Sequence, residues 1–197
     1  MPRRPRRTRK ALPRQRAASP DLSQGRRFSA LLRLSSEVAA GTDEPTICRR
    51  VVHGLHDRAL GYELVALFLV DETTGDRVLA ASVGWPDVVD GFRIPSGQGL
   101  SERPLLDGQL HYSADVSLEA EYIVSLTSGS EVDLPLRIGY NTIGVMMVQS
   151  RRANAFGEED FEILTAAAQQ TSIALARVRL LETQRSLLAA ERRRADE

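Results

Sequence analysis

Glu131-Val-Asp-Leu-Pro-Leu-Arg-Ile138 decides the fold. Val132, Leu134, Leu136 and Ile138 alternate with Glu131, Asp133, Pro135 and Arg137, the period of two expected of a strand with one face on a core. Pro135 cannot donate to a ladder, so its position faces an edge or a bulge. Gly139-Tyr-Asn141 supplies a turn, and Ile143-Gly-Val-Met-Met-Val148 reads as the buried return strand. An antiparallel hairpin therefore spans about 131–148.

A second hairpin lies upstream. Leu64-Val-Ala-Leu-Phe-Leu-Val70 is a continuous apolar run, the mark of a strand covered on both faces. Asp71-Glu-Thr-Thr-Gly-Asp76 turns the chain, and Arg77–Val83 returns it. Before this hairpin, Phe28, Leu31, Leu32, Ser35, Val38 and Ala39 recur at helical spacing up to Gly41, a plausible C-cap. Thr42 or Asp43 opens a second helix to about Leu60, with Ile47, Val51, Leu55 and Leu60 inward and Gly61 after it. Between the hairpins, 84–130 is loop-rich, with short strands expected at Phe92–Ile94 and Leu110–Ser113.

The chain closes on one long helix. Gly157 can cap it, Glu158, Glu159 and Asp160 favour the positive end of its dipole, and Phe156 with Phe161 fits a hydrophobic staple. Ile173, Leu180 and Leu187 then repeat at seven, with Ala174, Leu181 and Leu188 beside them, leaving an apolar seam that asks for a partner helix.

Composition excludes several classes. Of 197 residues, 42% are hydrophobic, which suits one compact domain with appendages. No apolar run approaches the ~20 residues of a membrane helix, and a cytoplasmic location is expected. The one cysteine, Cys48, rules out an internal disulfide framework and a Cys-only metal cluster, and reads as a small buried residue. The formal net charge is zero, but residues 1–20 hold eight basic residues and no acidic one, leaving 18 basic against 26 acidic groups beyond them. Residues 1–25 are accordingly an Arg/Pro-rich tail, expected to be disordered and solvated; contact with nucleic acid or an anionic membrane surface is the sharper reading of the same charges. Arginine occurs 25 times and lysine once, so arginine is the default cation throughout.

In order, the chain reads helix, helix, hairpin, loop-rich middle, hairpin, long helix, an α+β layout on an antiparallel sheet. Here the residues resemble the GAF domain family of sensory and signalling proteins, over about 28–181. The resemblance rests on Gly97-Gln-Gly-Leu100, Asp107-Gly-Gln109 and Asp115-Val116; on Ser130-Glu-Val-Asp-Leu-Pro-Leu136; on Ile143-Gly-Val145 with Val148-Gln-Ser150; and on Ala155-Phe156 with Glu159-Asp160. It implies a GAF/PAS-like central antiparallel sheet with N- and C-terminal helices on one face and a loop-rich ligand-pocket side on the other. It also implies a homodimer through the terminal helices, with residues 173–197 as a signalling or coiled-coil extension toward an output protein. Leu31, Val38, Ile173, Leu180, Leu181, Leu187 and Leu188 are the dimer candidates.

The known chemistries of the family make definite demands on the residues. Asn141, Phe156 and Asp160 match a cyclic-nucleotide signature, but Thr142 and Phe161 replace its Lys and Glu, so its ion pair cannot form. A reductase of the free methionine-(R)-sulfoxide type uses several cysteines, and a bilin would want a Cys in the middle segment. His53 and His56 could chelate a metal at i, i+3, yet no third ligand is evident. His111 is either a haem axial ligand or a hydrogen-bonding pocket wall. Trp85, Phe92, Arg93, Tyr112, Asp115 and Tyr122 are the candidates for a small-ligand pocket with His111, or else they fill a second core. The resulting expectation is a non-catalytic GAF-type sensor, binding a small molecule and dimerising in signal transduction of the two-component kind. The alternatives are the N-terminal part of a sensor histidine kinase or cyclase, or a GAF-type methionine sulfoxide reductase. No cofactor is required by the sequence, though haem or a small ligand would suit the fold.

Overall fold

The computed structural model describes residues 20–85, 91–123 and 129–195. Its centre is one six-stranded antiparallel sheet in the order β3-β2-β1-β6-β5-β4, so both hairpins belong to the same sheet. β1 (Leu64–Val70) and β2 (Arg77–Val83) form the first hairpin, β5 (Ser130–Ile138) and β6 (Asn141–Ser150) the second. β1 joins them through β6, from Leu64 opposite Gln149 to Leu69 opposite Gly144. The edges are short: β3 (Arg93–Ile94) on β2, and β4 (His111–Ser113) on β5. β4 pairs only with 131–133 of β5, so Pro135 lies beyond its end, and the bulge between Leu136 and Arg137 follows directly. Proline thus sits where no neighbouring strand needs its missing N–H.

Three helices cover one face. These are α1 (Pro20–Ala39), α2 (Glu44–His56) and α4 (Glu158–Ala195); the five-residue α3 (Arg103–Asp107) lies in the connection between β3 and β4. Asp43 caps α2 by accepting from the Thr46 N–H, and Pro45 stands in the first turn, where its missing donor is harmless. The helical layer packs Ile47, Val51, Leu55, Leu164, Leu175 and Val178 onto Val65, Leu67, Val132, Leu134, Leu136, Met146 and Val148. Alternate strand residues face the other way, where Ala66, Phe68, Leu79, Ile94 and Met147 form a smaller cluster with Trp85 against it.

α1 departs from the expected stripe. It begins at Pro20, so 20–25 are helix rather than tail; the rest of the proposed tail, 1–19, lies outside the described residues. Its buried line is Ala30, Leu34 and Val38, while Phe28 and Leu32 are exposed. Arg27 explains the rotation. It donates to the Tyr62 hydroxyl and to Asp160 at 2.6 Å, tying α1 to the β1 approach and to the first turn of α4. α2 ends at His56 rather than Leu60, although Leu60 is still buried.

α4 spans 38 residues, about 57 Å. Asp160 accepts from the Gly157 N–H, closing the helix start. Phe156 and Phe161 meet through Tyr112, which packs edge-on to the first ring and tilted to the second. Buried positions stop at Val178; residues 180–195 run on for about 24 Å, with Leu180, Leu181, Leu187 and Leu188 exposed.

Candidate functional site

The loop side of the sheet encloses a slot whose volume open to the centre of a water molecule is about 50 Å³. Sites of about 10–15 Å³ on this measure already hold one water, so the slot accommodates a small organic molecule only if that molecule is compact. Phe68, Leu79, Trp85, Phe92, Ile94 and Met147 make it predominantly apolar, and Leu100, Tyr122 and Ile123 close it from the connecting segment. Its polar groups are few: Glu131 on β5, Gln149 on β6, Ser82 on β2 and Ser101 after Gly99. Gln149 donates its side-chain N–H to Glu131, and the two residues are register partners across β5 and β6.

A buried arginine holds the segment that walls the slot. Arg77 reaches the Pro95 carbonyl at 3.0 Å, also donates to the Gln98 carbonyl, and stands 3.0 Å from the Glu102 carboxylate. Burial lowers its pKa, with Glu102, Asp133 and Asp76 opposing. Behind Glu131, Asp133 is also buried on the same face of β5. Burial pushes the Glu131 carboxyl up, and burial together with the neighbouring Glu131 holds Asp133 well above the usual carboxylate range. A dry pair of carboxyls cannot carry two full charges.

Of the residues singled out from the sequence, Trp85, Phe92 and Tyr122 line the slot. The others do not. Arg93 lies on the surface and pairs with Asp71 at 2.9 Å and Asp76 at 3.4 Å, tying β3 to the first hairpin turn. His111 is bonded to Asp107 at 2.8 Å, outside the slot, so its position does not suit a haem held there. Tyr112 points to the helical layer between Phe156 and Phe161. Asp115 accepts from the Ser117 N–H and caps a single helical turn. Strand alternation turns Tyr112 to the helical face, and turn chemistry consumes Asp115.

Glu131, Gln149 and Ser101 were not among the sequence candidates. The signal for Glu131 was present: an acid inside a strand whose partner, β6, is apolar throughout its middle. Alternation assigned that face to solvent, but the connecting segment covers it.

Other candidates resolve structurally. His56 contacts the Tyr62 carbonyl through Nδ1 at 2.8 Å, and among the described residues no group of three His, Cys, Asp or Glu could hold a metal. Asp160 is engaged by Arg27, Tyr62 and the Gly157 N–H. Cys48 is buried in the helical layer, on the opposite side of the sheet from the slot, and burial pushes its thiol up to about 12. Of the dimer candidates, Ile173, Leu180, Leu181, Leu187 and Leu188 are exposed; Leu31 is half-buried, and Val38, 1% exposed, belongs to the chain's own core and cannot form an interface. No described helix is long and apolar enough to cross a membrane.

A six-stranded antiparallel sheet, helices on one face and a covered slot on the other define an α+β domain with an enclosed cavity beside its sheet. The GAF domain model matches residues 41–176, and the chain belongs to that family. It is 32% identical over 110 residues to Protein YtsP of Bacillus subtilis (strain 168), a match spanning 55% of this chain and 66% of that protein, just short of two thirds of its length. Its structure resembles that of a free methionine-R-sulfoxide reductase from Neisseria meningitidis solved with its substrate, at 27% identity and a TM-score of 0.73, covering 83% of this chain and 96% of that one. It also resembles the GAF domain of a phosphoenolpyruvate-protein phosphotransferase from Coxiella burnetii, at 21% identity and a TM-score of 0.74, covering 81% and 98%. The likeness to the reductase corrects the expectation of a non-catalytic module: proteins of this architecture and of comparable sequence include enzymes.

Proposed function

We propose that this GAF domain binds a free small molecule of about amino-acid size in the slot between the sheet and the 99–101 and 122–123 segments. The observation that carries the reading is the slot itself: apolar and aromatic walls with a few polar groups among them, the composition expected of a small-ligand site. The likeness to a reductase of a free amino-acid derivative supports a ligand of that size. Methionine (R)-sulfoxide is the first probe. Isothermal titration against the full chain is expected to give saturable 1:1 binding that Ser82→Phe, a substitution at the half-buried slot rim, abolishes without lowering the melting temperature. Binding unaffected by Ser82→Phe would place the ligand elsewhere and overturn the proposal.

A second reading is turnover of that ligand, favoured by the 27% identity to the Neisseria enzyme. Reduction of methionine (R)-sulfoxide needs two electrons, and the chain's one thiol is remote from the slot and protonated. An assay with dithiothreitol as reductant, read by the methionine released, tests the reading directly; zero release above the protein-free rate removes it. The exposed seam of α4 further supports pairing with a second copy, and through it the signalling role that the GAF fold has elsewhere.

A further inference from the structure

Two buried acids stand together where β5 meets the slot. Glu131 and Asp133 are alternate residues of β5 on one face, each only 2% exposed. Glu131 lines the slot, and Asp133 stands behind it with Oδ1 lacking a hydrogen bond among the described residues. An independent group comes from the connecting segment: Ser101, 1% exposed, lines the slot, and its hydroxyl has no hydrogen-bond partner among the described residues.

The surrounding charges fix the state of the two acids. Arg77 from β2 and Arg103 from α3 favour ionisation of Asp133, while burial and the charge of Glu131 oppose it and dominate. For Glu131, burial and the charge of Glu119 oppose ionisation; a hydrogen bond from Asp133, one from Gln149 of β6 and the charge of Arg103 favour it. The remaining groups nearby are committed: Glu102 to Arg77, Arg103 to Glu119 and Glu121, and His111 of β4 to Asp107. Geometry places the pair's exchangeable charge: Glu131 lines the slot and accepts from the Gln149 side chain, so its carboxylate is the one a ligand meets, while Asp133 lies behind it, where burial and the neighbouring Glu131 favour the protonated form.

We propose that the slot selects a compact monoamine cation, its apolar part against Phe68, Trp85 and Met147, its ammonium on Glu131, and a neighbouring acceptor atom on the Ser101 hydroxyl. This rests on the slot being the ligand site and adds the chemical class. The match is one charge to one charge in a dry site, so a neutral isostere forfeits the ion pair and an anionic one meets repulsion.

Three probes that share one apolar tail test it by isothermal titration with the full chain: 3-(methylthio)propylamine, 3-(methylthio)propanol and 3-(methylthio)propanoate. The amine is expected to bind at least about tenfold tighter than the alcohol at pH 7.5, and the carboxylate more weakly than either. Lowering the pH is expected to weaken the amine as Glu131 takes up a proton and to leave the alcohol unchanged, an arm that needs no variant. Glu131→Gln is expected to bring amine and alcohol to equal affinity, and Asp133→Asn, whose amide still donates to Glu131, to keep the preference. Equal binding of amine and alcohol to the wild type, or a preference that survives in folded Glu131→Gln, overturns this inference and leaves the ligand site standing. No binding of any of the three probes also overturns it, whereas the site itself is judged separately by the methionine sulfoxide titration and its Ser82→Phe control.

Discussion

Arg77 stands 3.0 Å from the Glu102 carboxylate with its guanidinium wholly enclosed, while the same side chain donates to the Pro95 and Gln98 carbonyls. One residue of β2 thus fastens the segment that walls the slot. Replacing it removes one half of a largely buried ion pair and strands two carbonyl oxygens. Arg77→Met is expected to destabilise the fold by about 3 kcal/mol, the lower end for broken buried pairs because Glu102 keeps some solvent contact. Urea unfolding should show a lower midpoint at unchanged slope. Adding Glu102→Leu should recover part of the loss, since no unpaired charge then remains.

The acid pair gives stability a pH dependence of unusual sign. Glu131 and Asp133 have folded pKa values above their unfolded ones, so the folded chain binds more protons between the two. Their contribution is fully present below the ordinary carboxylate range, about pH 4, and is lost as pH rises through the raised values. Asp71, Asp107 and Glu119 act oppositely: backbone hydrogen bonds hold the first two low and Arg103 the third, so their contribution is lost as pH falls. Comparing Asp133→Asn with the wild type isolates the buried term. The melting temperature of the wild type relative to the variant is expected to fall from pH 4.5 to 8, and a constant difference would contradict the assignment.

Much of this was legible in the sequence because the strands obey simple periods. Both hairpins fall where alternation and turn residues place them, and the α4 start carries its acids and flanking phenylalanines in order. The slot was less legible. Trp85, Phe92 and Tyr122 belong to it, but Arg93, His111, Tyr112 and Asp115 were drawn off by local demands: surface ion pairs, strand parity and a cap. Glu131 escaped notice because alternation tells two faces apart without saying whether the second is covered. Phe28 and Leu32 misled for a related reason, since helical spacing identifies a stripe and the Arg27–Asp160 tie then decides which side of it turns inward.

Cys48 offers a check on the helical layer that owes nothing to the slot. With its thiol pushed up to about 12, the thiolate fraction at pH 8 is about one in ten thousand, and burial removes access as well. Maleimide labelling of the native chain is expected to proceed only as fast as the layer opens, and to become complete and rapid in concentrated guanidinium. Leu55→Ala, which leaves a cavity in the same layer at about 2–5 kcal/mol, should raise the native labelling rate through the population of open states. Fast labelling of the intact protein would mean that α2 does not stay packed with Cys48 inside the layer.

The end of α4 is the feature most at odds with a solitary domain. Leu180, Leu181, Leu187 and Leu188 are exposed on a stretch of helix that extends about 26 Å past the last buried residue described on it, Val178, and Ile173 continues the line onto the domain. A lone helix this long is marginal in water unless an apolar side is covered. Pairing with the same seam of a second copy would cover it, with repeats at seven favouring a left-handed crossing. Leu180→Glu with Leu187→Glu is therefore expected to convert a dimer to a monomer in sedimentation equilibrium at tens of micromolar. Because those side chains are exposed and lie outside the core, the melting temperature of the domain transition should shift little beyond the loss of association itself. A wild-type chain that sediments as a monomer at that concentration would refute pairing through α4.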